Sequence, residues 1–176
     1  MKSTRAVAAL LAVGALLAGC SGEKEKAAVP EAPERLCWGA FEGKAVVPLL
    51  GSGKKITDES RDTFSLPADL KQVTCRVGMD GAILLTASAW RKPLGSDAFW
   101  QSTDPLHPDK LDFGRKGLVF DSGALLLYTC RTPTEAFELE LDISYTVSDR
   151  NDARARNTQL MKDFQAFASK ELHCAP

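Results

Sequence analysis

The chain has 176 residues and a formal charge of −1, with 44% hydrophobic and 26% charged residues, enough for one ordinary domain with accessory segments. A near-neutral, mixed-sign composition lacks the basic footprint of a nucleic-acid binder and gives no electrostatic pull toward anionic headgroups. Nucleic acid is therefore not an expected partner.

Lys2 and Arg5 form a short positive region, and Ala6 to Leu17 form an apolar run broken only by Gly14. A spanning helix needs about 20 apolar residues, whereas this run has the length of a signal-peptide hydrophobic region. It ends in Leu17-Ala18-Gly19-Cys20. Those four residues resemble a bacterial lipobox: an aliphatic residue, two small residues and an acceptor cysteine. The resemblance implies cleavage between Gly19 and Cys20, and diacylglyceryl lipid with palmitate-type chains on the Cys20 sulfur. It also implies a place on the extracytoplasmic face of the cell membrane. Each buried CH₂ contributes about 0.8 kcal/mol, so two acyl chains on one residue anchor the protein stably.

Loss of residues 1–19 removes Lys2 and Arg5 and leaves 20 basic against 23 acidic residues. Residues 20–35 read as the lipidated cysteine and a flexible tether, because Ser21 to Glu34 is rich in Glu, Lys, Ala and Pro. Fourteen such residues span about 20 Å root-mean-square and at most about 48 Å. Residues 36–176 read as a single globular domain, and the chain after Glu34 has a charge close to −1.

Within that domain, Lys44 to Leu50 suggests a short helix ended by Gly51. Around Val73 the apolar period becomes two: Val73, Cys75 and Val77, then Ile83, Leu85, Ala87 and Ala89. A three-residue loop, Met79-Asp80-Gly81, would pair 77 with 83 and 75 with 85, putting every odd residue on one face. A similar turn signal stands at Asp121-Ser122-Gly123, between strand-like segments at 117–120 and 124–131. Pro93 to Gly114 reads as a long loop. Phe137, Leu139, Leu141, Ile143, Tyr145 and Val147 alternate with polar residues, which predicts a strand with one buried and one wet face. The wet face argues for antiparallel pairing.

Leu160, Met161, Phe164, Phe167, Ala168 and Leu172 recur at helical spacing. They predict an amphipathic helix over 152–173, capped by Asp149 or Asn151, with its stripe on the odd face of the 137–147 strand. The expected fold is α+β: a mostly antiparallel sheet, a long C-terminal helix on one face, a short N-terminal helix and two disulfides.

With Cys20 lipidated, Cys37, Cys75, Cys130 and Cys174 remain, an even number in an exported chain. Their gaps of 38, 55 and 44 residues do not suit a zinc site. A strand of about 11 residues runs roughly 37 Å, and a helix of about 22 residues returns roughly 33 Å. The two lengths nearly cancel, which favours Cys130–Cys174 with Cys37–Cys75. The rival is Cys37–Cys174 with Cys75–Cys130.

The chemistry-bearing patterns are weak. Gly51-Ser52-Gly53-Lys54 fails the phosphate-loop pattern, with Pro48 and Lys55 at its two ends. Asp104, His107, Asp109 and Asp112 crowd one loop, but turn formation explains them as well as cation binding does. His173 adjoins Cys174 at a helix end, where a cation complements the dipole. Glu138, Glu140 and Asp142 have the spacing of a solvated strand face. No catalytic motif, metal site or cofactor motif emerges, so enzyme activity is not expected. Trp90, Arg91, Phe99 and Trp100 flank the long loop and form the best candidate binding surface.

The lipobox, Leu-Cys-Trp-Gly at 36–39, Thr-Cys-Arg-Val at 74–77 and Leu-His-Cys at 172–174 together resemble actinobacterial lipoproteins with a four-cysteine extracytoplasmic domain. The resemblance covers roughly residues 36–176 and implies a scaffold, with no functional residues to carry over. A membrane-anchored binding or interaction module for an envelope protein, peptide or glycan is the expected function. The alternatives are a carboxylate-dependent hydrolase of envelope polymers and an accessory subunit of a membrane complex.

Overall fold

A computed structural model describes residues 30–60, 63–93, 107–130, 136–144 and 150–174. Gly19, Cys20, Phe99, Trp100, Asp104, Tyr145, Val147 and Asp149, all singled out above, lie outside the described residues.

The chain opens with two short paired strands, β1 (Arg35–Leu36) and β2 (Phe41–Glu42). One helical turn, α1 (Gly43–Val46), and a 3-10 turn at Val47–Leu49 follow. The segment expected as a helix over 44–50 thus makes only these two turns, with Pro48 in the first turn of the 3-10 piece, where its missing N–H costs nothing.

Seven antiparallel strands form one sheet: β3 (Ile56–Glu59), β4 (Gln72–Met79), β5 (Ala82–Lys92), β6 (Asp109–Lys110), β7 (Lys116–Phe120), β8 (Gly123–Thr129) and β9 (Ala136–Ile143). Their spatial order is β3-β4-β5-β9-β8-β7-β6. Two meanders, β3–β5 and β6–β9, are therefore joined by β5 against β9. The segment expected to be a long loop over 93–114 contains β6 at the far edge.

The β4–β5 hairpin differs from the expected three-residue loop. Met79 pairs with Ala82, so the turn is the two residues Asp80 and Gly81, both with positive φ of 52° and 87°. That is the combination a primed hairpin turn requires. Parity is restored by a bulge: Gly78 pairs with Ile83 but Val77 pairs with Leu85, leaving Leu84 as the extra residue. Cys75 accordingly faces Ala87, not Leu85, and Ile83 is left 48% exposed near the tip. The β7–β8 turn is also two residues, since Phe120 pairs with Gly123.

The inner face of the sheet carries the apolar rows. Cys75, Ala87, Leu141, Ala124 and Val119 succeed one another across five strands, beside Val73, Ala89, Leu139 and Leu126. Helix α2 (Arg150–Glu171) lies on this face against β7, β8 and β9. Leu160, Met161, Phe164 and Ala168 of its stripe are at most 3% exposed, and each large side chain so buried contributes about 1.5–3 kcal/mol. Asn151 lies inside the helix, one residue past its first. An aromatic seam joins the N-terminal cover to the helix: Phe41 meets Phe164 at 5.7 Å, and Phe64 meets Phe167 at 5.2 Å.

Disulfides Cys37–Cys75 and Cys130–Cys174 close the two ends of this layer, with Cα atoms 5.5 and 4.7 Å apart. This is the pairing that the nearly equal strand and helix lengths favoured.

The opposite, outer face is not uniformly wet. Glu138 is 3% exposed, while Leu125 and Leu127 on β8 form a small second cluster there with Ala136, Leu118 and Phe120. β8 is therefore apolar on both faces. Only Asp142 on β9 meets the expectation of an exposed carboxylate row.

Candidate functional site

Polar side chains gather on the outer face between β3 and β9. Pairing places Gln72, Trp90 and Glu138 in one cross-strand row, and Thr74, Ser88 and Glu140 in the next. The Thr74 and Ser88 hydroxyls are 3.0 Å apart, and Gln72 Nε2 donates to Thr74 Oγ1 at 3.0 Å. At the β4 end, these rows open into a groove of about 450 Å³ lined by Glu59, Ser60, Gln72, Val73, Thr74 and Arg76. The groove exists because β3 stops at Glu59, opposite Arg76, while β4 continues back to Gln72.

At the β9 end the electrostatics become unfavourable for a second negative charge. Lys92 Nζ lies 3.2 Å from Glu138 Oε1 and over the Trp90 ring at 5.1 Å, so this buried carboxylate has a cation. Burial pushes the Glu140 carboxyl above the usual carboxylate range, and the neighbouring Glu138 and Asp142 charges add to the effect. The Trp90 indole N–H acts in the opposite direction, though its buried nitrogen closes no hydrogen bond of normal geometry. The result is an acid-leaning carboxyl one strand away from the Thr74–Ser88 pair.

The two described members of the aromatic candidate surface diverge. Trp90 stands on the outer face, whereas Arg91 points inward, 5.2 Å from the Phe137 ring, and donates to the Leu66 carbonyl. A single patch containing both is not formed.

The other candidate groups are engaged elsewhere. Arg154 reaches Asp109 and Asp121 at 2.7 Å each, tying α2 to β6 and the β7–β8 turn. Gly51 to Lys55 wraps the β4–β5 turn, with the Asp80 carboxylate accepting the Lys54 and Lys55 N–H groups at 2.9–3.1 Å. Among the described residues, ligand-type atoms converge only at Cys37, Asp58 and Cys75. There the two sulfurs are consumed in the disulfide, and Asp58 accepts the Cys37 N–H at 2.8 Å. This bond holds Cys37 at a positive φ of 51°, which a non-glycine residue seldom adopts. His107 and His173 also have positive φ.

Sequence reasoning did not single out Gln72, Glu59 or Ser88. The alternation around Val73 put Thr74 and Arg76 on the polar face, but the early end of β3 that opens the groove has no such signal.

No family model, no curated protein and no solved structure matches this chain. Among the described residues, no helix is long and apolar enough to cross a membrane.

Proposed function

We propose that the chain is a lipid-anchored envelope binding module that engages a polar, extended polymer through the outer-face groove of its sheet. The groove carries this proposal: it joins hydroxyl, amide, carboxylate and guanidinium groups in one open depression, away from α2. Such a depression suits recognition by several directed hydrogen bonds. The lipobox-like Leu17 to Cys20 and the tether supply the anchor, and both disulfides fit an oxidising compartment.

Titration of the full-length protein in detergent with soluble envelope glycan fragments and peptides tests it. Perturbed resonances should centre on Glu59, Gln72, Thr74 and Arg76. Perturbations confined to α2, or none with either ligand class, would contradict the proposal.

Glu140 favours a second reading, a carboxylate-dependent hydrolase in which its carboxyl, raised above the usual range by burial and set opposite Ser88, serves as general acid. Cleavage of an envelope polymer that is lost in Glu140→Gln would support this reading. Absence of any cleavage would dismiss it.

A further inference from the structure

On the basis of the binding role proposed above, we infer that the groove takes an extended peptide as an added strand beside Gln72–Cys75 of β4. The backbone sets this preference. Within a strand, the N–H and C=O of one residue point to the same side, and successive residues alternate. The Lys71 carbonyl accepts Arg91 N–H at 2.9 Å, so odd positions of β4 face β5. Asp80 N–H donates to the Lys55 carbonyl at 2.9 Å, so even positions face the β3 side. Arg76 and Gly78 meet β3 there, opposite Glu59 and Thr57. Gln72 and Thr74 face the same way, beyond the end of β3 and along the groove.

Two donors and two acceptors at strand spacing are thus presented along the groove. A peptide backbone carries the complementary groups at the same spacing; a glycan does not. The Gln72 and Thr74 side chains are bonded to each other and to Ser88, which holds them clear of the edge in one arrangement. Glu59 and Arg76 stand at the β3 end of the groove with opposite charges, ready to read alternate side chains of the added strand.

The test pans a display library of random peptides about twelve residues long against the full-length protein in detergent micelles. The enriched peptides should slow amide exchange at Gln72 and Thr74 by at least about tenfold, without comparable protection on β6. Gln72→Pro removes a groove-facing N–H while leaving the β4–β5 ladder intact, and proline is tolerated at the first residue of a strand. It should weaken the same peptides at least about tenfold. No enrichment over an unrelated lipoprotein, or protection elsewhere on the protein, would overturn strand addition. The exchange pattern of the wild-type protein decides this even if Gln72→Pro does not fold. Glycan fragments that perturb the groove while no peptide enriches would overturn the peptide assignment and leave the binding role standing. Failure of both ligand classes would overturn both.

Discussion

Asn157 Nδ2 donates to the Phe120 carbonyl at 2.9 Å from a side chain with no solvent exposure. The same amide reaches the Asp121 and Gly123 carbonyls at 3.3 and 3.4 Å, so one buried group on α2 satisfies the β7–β8 turn. Asn157→Ala removes this donor from acceptors that are buried at Gly123 and part-buried at Phe120 and Asp121, and we expect a loss of about 1–3 kcal/mol. Arg154 also grips this turn, but its partner Asp109 is largely in solvent and Asp121 is only half-buried, so Arg154→Ala should cost about 0–1 kcal/mol. Urea melts of the two variants should rank them in that order.

Glu140 sets a pH dependence. Its carboxyl titrates higher in the folded protein than in the unfolded chain because of burial and then the adjacent negative charges. Between the two values the native state binds more protons, so stability falls as pH rises through that window. Above the folded value the penalty is fully present, and below the unfolded value it is absent. Glu140→Gln should therefore raise the melting temperature at neutral pH, with the gain fading in acid. An equal shift at both pH values would assign the effect to packing.

The sequence made some of this architecture legible for clear physical reasons. Alternation from Phe137 to Ile143 identifies a strand with a core face, and the stripe from Leu160 to Leu172 identifies the helix that covers it. The strand runs out and the helix returns, which brings Cys174 back to Cys130, although β9 spans only 8 residues and is shorter than the 137–147 strand the alternation suggested. The β4–β5 turn was not legible, because a bulge at Leu84 repairs parity as effectively as a longer loop. Burial of Glu138 was hidden in β9, whose own pattern is alternating. A signal lay in β8, where the unbroken run Ala124 to Tyr128 marks a strand covered on both faces. The groove depends on where β3 ends relative to β4, and polar residues on an outer strand face do not reveal that.

Each disulfide closes a long loop, with sequence separations of 38 and 44 residues. We expect Cys130→Ser with Cys174→Ser, or the same pair of changes at 37 and 75, to cost about 2–5 kcal/mol. Calorimetry with and without reductant checks this. An unchanged midpoint after confirmed reduction would mean that neither bridge contributes.

Cys20→Ala should release the protein from membranes without changing its melting temperature, because the lipobox-like cysteine is the sole acceptor proposed for the anchor. Cell fractionation followed by a high-salt wash gives the result. A variant that stays in the washed pellet would show that something other than lipid on Cys20 holds it.

The most direct test of the groove as the working surface is photocrosslinking in intact cells. A photoreactive amino acid in place of exposed Glu59, at the groove, is compared with one in place of exposed Lys162, on α2. We expect discrete envelope adducts from position 59, few from position 162, and loss of the former when Cys20 is also replaced by Ala. Equal labelling from both positions, or adducts from position 162 alone, would contradict a role for this face in binding.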